Sequence, residues 1–119
     1  MKKLIYLSLI FVVLLSCEKE RQEVKVKYKI SNAYSLTEID YRNSDGTIIN
    51  EKIDFESIED VWSYSYTDKR GEIVYLSTRY TDSTSSVNVQ IVVDGKVYKQ
   101  GSSNNEPNKY ITVSGTIPY

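Results

Sequence analysis

Apolar and polar side chains alternate with a period of two along most of the chain after residue 23. Val24, Val26, Tyr28 and Ile30 alternate with three lysines, a pattern typical of a strand with one face in water. The lysine row also suits a strand at the edge of a sheet, where charge discourages pairing with further strands. No part of this region shows a convincing helical period, so the alternation predicts an all-β domain.

Turn residues divide the region into short segments. We predict strands over residues 24–30, 36–42, 47–55, 61–66, 72–80, 87–93, 96–100 and 110–114. Asp94-Gly95 between two of them is a strong hairpin signal. Residues 56–60 interrupt the alternation and predict either one helical turn or an acidic loop. Seven or eight short strands predict an antiparallel β-sandwich, immunoglobulin-like, with a small closed barrel as the alternative.

The first seventeen residues have a different character. Lys2 and Lys3 precede an almost continuous apolar run over residues 4–15, which ends at Ser16 and the single cysteine, Cys17. This arrangement resembles a bacterial lipoprotein signal peptide with its lipobox. The resemblance implies cleavage before Cys17, a diacylglyceryl group on its thiol and an acyl chain such as palmitate on the new amine. The alternatives are a plain secretory or anchor segment and a buried core helix, and a membrane-spanning helix would need about 20 apolar residues.

These observations divide the chain into three parts. We predict a signal peptide over 1–16, a lipidated cysteine with a polar tether over 17–23, and one domain over 24–119. Residues 1–16 hold two of the 15 basic side chains and none of the 16 acidic ones, so the remainder carries a net charge of −3. That balance argues against nucleic acid as a partner. We expect a lipid-anchored protein of the cell envelope, at the outer membrane on its periplasmic or surface side.

The domain also shows a resemblance to a known family. It rests on five segments of the chain: residues 26–30, Ile39-Asp40-Tyr41 with the Asp45-Gly46 turn, Trp62-Ser63, residues 87–97, and Val113-Ser114-Gly115. Together they resemble the MmpS-like small membrane-anchored proteins. The family implies a single β-sandwich on the outer face of a membrane, assisting RND-type exporters. This chain departs from it in having Val61 where a proline is common and a lipobox in place of an anchoring helix.

Catalytic and metal-binding side chains are scarce. There is no histidine, which removes the usual general base and the usual metal ligand. Glu56, Glu59 and Asp60 form an acidic cluster that we interpret as solvated surface. We therefore predict no enzyme activity, no cofactor and no metal.

Calcium is the one metal worth weighing, because it accepts oxygen ligands only. The candidates lie in polar loops: Asn43, Asp45, Asp82, Ser83 and Asp94. No bidentate glutamate follows at the spacing of a calcium loop. The prediction is that these side chains bond to the backbone of their own turns.

An aromatic run offers the best contact surface. Trp62, Tyr64 and Tyr66 share one face of a strand at intervals of about 7 Å, with Ser63 and Ser65 on the other. We expect Trp62 to be buried and name Tyr64 and Tyr66 as candidate contacts for a ligand or partner. The first functional hypothesis is a non-enzymatic accessory module beside a membrane complex, such as an RND-type transporter. The alternative is a surface-exposed lipoprotein that binds glycan or peptide through its tyrosines.

Overall fold

A computed structural model describes residues 22–81, 86–103 and 108–119. Cys17 and the predicted signal peptide lie outside these residues, as do Asp82 and Ser83. The described residues form eight strands: β1 (Glu23–Ser31), β2 (Ser35–Arg42), β3 (Ile48–Phe55), β4 (Trp62–Lys69), β5 (Ile73–Tyr80), β6 (Asn88–Val93), β7 (Lys96–Ser102) and β8 (Ile111–Thr116).

Two four-stranded sheets divide these strands equally. Sheet A has the order β4-β1-β6-β7 and sheet B the order β3-β2-β5-β8, and every strand pair is antiparallel. The predicted antiparallel β-sandwich is confirmed. Consecutive β1 and β2 lie in different sheets, whereas the first two strands of an immunoglobulin constant domain share one sheet. The likeness to immunoglobulin domains is therefore one of two-sheet architecture and not of strand order.

The core lies between the sheets and follows the alternation of the sequence. On β1 the four apolar side chains at positions 24, 26, 28 and 30 are at most 3% exposed. They pack against the inner faces of both sheets, including Ile39 and Leu76 of sheet B and Val89 and Ile91 of sheet A. Tyr28 is, with Tyr80, the largest of the fully buried side chains. Its burial places a phenolic hydroxyl in the core, where it needs hydrogen-bond partners.

The lysine strand occupies a different position from the one its sequence suggested. β1 lies inside sheet A, hydrogen-bonded to β4 on one side and to β6 on the other. The edge prediction was wrong because alternation reports which face of a strand is wet, and not whether both of its edges are paired. The row of lysines therefore stands on the outer face of the sheet and does not protect an edge.

The turns follow their sequence signals closely. Asp94 and Gly95 join β6 to β7 with positive φ values of 50° and 77°, the geometry of a two-residue hairpin turn. Residues 56–60 form the acidic loop, which contains one hydrogen-bonded turn from the Asp60 N–H to the Ser57 carbonyl and no helix. Within that loop the Asp60 carboxylate accepts the backbone N–H groups of Glu56 and Ser57. None of the described residues belongs to a helix capable of crossing a membrane.

Candidate functional site: an aromatic margin between the sheets

Two edge strands meet along one side of the sandwich. β3 ends sheet B and β4 ends sheet A, and the connection over residues 56–61 joins them. Alternate residues of β4 point inward, so that Trp62, Tyr64 and Tyr66 line the gap between the sheets while Ser63 and Ser65 point outward. We call this side of the molecule, formed by the inward residues of β3 and β4, the aromatic margin.

The aromatic rings of the margin form one contiguous cluster with two buried tyrosines from β1 and β2. Tyr41 of β2 lies at its centre, with ring centroids 4.7 Å from Tyr64 and 5.1 Å from Trp62. Tyr28 of β1 contacts Tyr66 at 5.4 Å and Tyr41 at 6.0 Å. The inward residues of β4 are half-buried, whereas Tyr28 and Tyr41 beneath them are buried. The cluster is therefore attached to the core at its base and reaches solvent along its outer side.

Glu51 of β3 joins the two sheets across the margin. Its Oε1 accepts a hydrogen bond from the Tyr41 hydroxyl at 3.2 Å, and its Oε2 accepts one from Trp62 Nε1 at 3.1 Å. Burial, followed by the negative charge of Glu51, raises the pKa of Tyr41 to about 12. Glu51 thus fixes the orientation of the indole ring and holds the Tyr41 hydroxyl in its protonated form.

A second polar network closes the margin near the start of β5. The Tyr28 hydroxyl lies 2.7 Å from the carbonyl oxygen of Arg42 and 2.6 Å from the Tyr66 hydroxyl. Because a carbonyl only accepts, Tyr28 donates to Arg42 and must accept from Tyr66. The backbone N–H of Tyr75 also points to the Tyr28 oxygen at 3.4 Å. Burial is the main cause that raises the pKa of both Tyr28 and Tyr66.

An ion pair lies beside this network. Arg42 Nη1 is 3.7 Å from Asp68 Oδ2, and Arg42 Nη2 is 3.8 Å from a carboxylate oxygen of Glu72. Arg42 also donates to the Ile73 carbonyl at 2.7 Å. Asp68 Oδ2 is buried and accepts no hydrogen bond within the described ranges, so it depends on the guanidinium charge. The ion pair thus ties β2, β4 and the start of β5 together at one end of the margin.

The margin has the chemistry of a contact surface. Burial raises the pKa values of Tyr28, Tyr41 and Tyr66, so these three phenols keep their protons at neutral pH, and an un-ionised phenol is a poor nucleophile. The aromatic faces offer stacking area, and Glu51 offers a carboxylate beside them. Ile58 and Val61, in the connection at the β3–β4 end, are 47% and 53% exposed and extend the apolar surface. The arrangement suits binding by stacking and apolar contact.

The structure places the predicted site residues as follows. Tyr64 and Tyr66 lie on the inner face of β4, half-buried, and belong to one cluster with Trp62. Trp62 is half-buried, not fully buried as expected, because it stands at the unpaired edge of sheet A. Sequence reasoning missed Glu51, Tyr41 and Tyr28, which hold the cluster in place. A signal existed for Glu51: it lies two residues from Ile49 and from Ile53, so it shares their face of β3 and points inward.

The turn after β2 uses its oxygen-bearing side chains locally, as predicted, whereas Asp94 bonds to residues that are distant in sequence, contrary to the prediction. Asn43 Oδ1 accepts the backbone N–H groups of Asp45 and Thr47, and Asp45 Oδ1 also accepts from Thr47. The hydrogen bonds from Thr47 are the main cause that lowers the pKa of Asp45. Asp94 accepts the N–H of Lys25 and pairs with Arg70 at 3.3 Å. In the part of the chain that the structure describes, no group of three acidic or cysteine side chains forms a metal site.

Comparison with known proteins adds no family to this description. No family model matches the chain, and no curated protein matches it. The resemblance to MmpS-like proteins and to lipoprotein signal peptides stays a prediction from the residues quoted above.

Proposed function

We propose that this protein is a non-enzymatic lipoprotein of the cell envelope that contacts a membrane-protein partner through the aromatic margin. Cys17 carries the lipid in this proposal, and β1 begins at Glu23. With five residues between them, Cys17 and Glu23 lie at most about 20 Å apart when the segment is extended. The sandwich is then confined to the neighbourhood of the membrane, where an integral membrane protein is the partner most readily reached.

One observation carries the proposal: the margin is held in shape, and within the described residues no strand covers it. Trp62 and Tyr64 are fixed from below by Glu51 and Tyr41, and β3 and β4 are the edge strands of their sheets in that part of the chain. A pre-ordered aromatic surface loses little conformational entropy on binding. Aromatic side chains are also enriched at the centres of protein interfaces. The MmpS-like resemblance directs the proposal toward an RND-type transporter as the partner.

Site-specific crosslinking in intact cells tests this contact. Tyr64 is replaced by the photoreactive residue benzoylphenylalanine, which keeps an aromatic ring in the margin. Ser114 on the exposed outer side of β8 serves as the matched control position. We expect one integral membrane protein to be captured from position 64 and not from position 114. Equal capture from both positions, or capture of soluble proteins only, would contradict the proposal.

The anchor has its own measurement. The mass of the N-terminal peptide is determined from protein extracted from the envelope, with Cys17→Ser as the control. We expect the wild-type peptide to begin at position 17 and to carry the acyl mass. An uncut leader with an unmodified thiol would refute the anchoring part, independently of the crosslinking result.

A second candidate function is binding of a glycan or peptide at the cell surface. It is favoured by the half-exposed row of Trp62, Tyr64 and Tyr66 beside the Glu51 carboxylate, since aromatic faces stack on sugar rings and a carboxylate accepts hydrogen bonds from hydroxyl groups. Trp62 is the only tryptophan in the chain, so its fluorescence reports binding directly. Titration with oligosaccharides and peptides should change this emission with saturation. Protease treatment of intact cells that leaves the domain uncut would exclude surface display.

A further inference from the structure

The outer face of sheet A carries a row of lysines in its interior. Lys25, Lys27 and Lys29 alternate along β1 and stand on the solvent side at intervals of about 7 Å. β1 is covered along both edges by β4 and β6, so the row runs down the middle of a sheet face. We call this face, formed by the outward residues of β4, β1 and β6, the lysine face.

Among the residues that the structure describes, the lysines of β1 have no ion-pair partner. Lys69 of β4 adds a fourth ammonium group, which stands opposite Glu23, its register partner and the one carboxylate on these outward positions. No described carboxylate lies within ion-pair distance of the three lysines of β1. The nearby Asp94 carboxylate accepts the backbone N–H of Lys25 and forms its ion pair with Arg70. The face is therefore basic in a region of the chain whose net charge is −3.

The outer face of sheet B makes a useful contrast. There Arg79 pairs with Glu38 at 3.0 Å, and Asn50 donates to Glu38 and to Asp40. The hydrogen bonds from Asn50 and then Arg79 lower the pKa of Glu38. On sheet B an arginine thus pairs with a carboxylate of its own face, whereas the described residues offer no such partner to the lysines of β1.

Small hydroxyl side chains lie directly beside the lysines. Thr67, Ser65 and Ser63 of β4 are the register partners of Lys25, Lys27 and Lys29, in that order. Because these side chains are short, the lysine stems rise above them and leave a depression of about 620 Å³. Its lining joins four polar side chains, Lys25, Lys27, Ser65 and Thr67, with Val26, Tyr66, Val92 and Gly95. Ammonium and hydroxyl donors around one depression are the chemistry that binds phosphate oxygens.

We propose that the lysine face rests on the anionic headgroups of the membrane and that the depression between β1 and β4 receives a lipid phosphate. This inference rests on the proposed membrane anchorage, and two observations favour a lipid surface over other polyanions. The lysines stand on a broad sheet face, which suits a planar array of phosphates. The row also begins two residues into β1, at the end of the strand nearest the tether, so a chain anchored at Cys17 brings this face to the headgroups first.

The expected strength follows from the charge count. Each lysine near an anionic membrane surface contributes a factor of about five to the contact equilibrium. Removing Lys25 and Lys27 should therefore weaken the contact about 25-fold. The contact should also fade with added salt, since the Debye length falls from about 8 Å at physiological ionic strength to about 3 Å at 1 M.

Lysine acetylation in proteoliposomes tests the inference on the full protein extracted from the envelope. The vesicles contain phosphatidylcholine alone or with phosphatidylglycerol, and mass spectrometry reads the acetylation rate at each lysine. Lys29 and Lys69 report on the lysine face, and Lys52 on the outer face of sheet B is the reference. The test variant is Lys25→Gln/Lys27→Gln, and the matched control is Lys96→Gln/Lys99→Gln, which removes the same charge from β7.

In phosphatidylglycerol vesicles we expect Lys29 and Lys69 to react several-fold more slowly than Lys52. This protection should disappear at high salt, in neutral vesicles and in the test variant, and should persist in the control variant. Equal rates at all three lysines would overturn the inference, as would equal protection in neutral vesicles. Protection reproduced by inorganic phosphate in neutral vesicles would mean that the site binds a soluble anion instead.

Two features keep the result interpretable. The Trp62 emission shows whether a variant is folded. If a variant fails to fold, the salt dependence of the wild-type protection still decides the inference. The mass of the N-terminal peptide in the same sample shows whether Cys17 is acylated. Failure of the anchorage and failure of the lysine face are thus seen in different measurements.

Discussion

The hydrogen-bond chain from Tyr66 through Tyr28 to Arg42 makes an asymmetric prediction about stability. Tyr28 donates to the Arg42 carbonyl at 2.7 Å and accepts from Tyr66 at 2.6 Å. Phenylalanine at either position keeps the ring and its aromatic contacts and removes one oxygen atom. The two substitutions are therefore nearly equal in shape and differ in how many polar partners they leave unpaired.

The expected magnitudes follow from that difference. Tyr28→Phe removes both short hydrogen bonds and leaves the Arg42 carbonyl and the Tyr66 hydroxyl without this partner. At about 1 kcal/mol net for each bond, with a further penalty for unpaired buried groups, the loss of unfolding free energy should be about 2–3 kcal/mol. Tyr66→Phe removes one bond, and Tyr28 still donates to Arg42, so its cost should be about 1 kcal/mol.

Urea unfolding followed by the emission of Trp62 measures both values. Trp62 lies in the same cluster as the mutated rings, with its centroid 5.1 Å from that of Tyr41, so it reports loss of this packing. In thermal unfolding of a domain of about 100 residues, the same losses should lower the melting temperature by about 10–20 °C for Tyr28→Phe and by about 4–8 °C for Tyr66→Phe.

A double variant completes the test. Once Tyr28 is phenylalanine, the Tyr66 hydroxyl has lost its acceptor, so adding Tyr66→Phe should cost almost nothing more. Equal losses for the two single variants would refute the assigned direction of donation. Strictly additive losses in the double variant would show that the two hydroxyls do not interact.

Three further predictions concern the margin and the turns. Unfolding free energy should fall from pH 10 to 12 by about 1.4 kcal/mol per pH unit for Tyr41 alone. The Tyr41 hydroxyl loses its proton near pH 10 in the unfolded chain and near pH 12 in the folded one. Its contribution to the unfolding free energy is therefore fully present below pH 10 and is lost as the pH rises to 12. Tyr41→Phe should reduce the slope in urea titrations by this amount, while Tyr28 and Tyr66, whose pKa values are also raised, keep a slope of the same sign; an unchanged slope would contradict the assignment. Glu51→Leu should cost about 2 kcal/mol, because Trp62 and Tyr41 both lose their acceptor. The outward neighbour Lys52→Leu is the control, and equal costs would refute the bridging role. Gly95→Ala should cost about 1–2 kcal/mol from its φ of 77° alone, since a Cβ there meets no atom within 4 Å. Gly95→Asn should restore most of that loss in thermal unfolding, and if it does not, backbone conformation is the wrong explanation.

The sequence supports the fold well because its signals are local. Alternation on β1 and the Asp94-Gly95 turn depend on neighbours within a few residues, and the structure agrees with both. Which strands pair is a long-range property, and the central position of β1 therefore could not be derived from its lysines. The contacts within the aromatic cluster are long-range in the same way. Tyr64 was visible as a candidate, while its contact with Tyr41 requires knowing that β2 and β4 face each other across the core.

The aromatic margin and the lysine face together define one orientation of the domain. The lysine face is the flat outer side of sheet A, and the margin opens at the side of the sandwich where β4 ends that sheet. If the lysines rest on headgroups, sheet B points away from the bilayer and the margin points sideways, parallel to the membrane plane. An integral membrane protein standing beside the anchor would then meet Trp62 and Tyr64 directly. Crosslinking from position 64 should accordingly decline in the Lys25→Gln/Lys27→Gln variant, because the headgroup contact sets the direction in which the margin points.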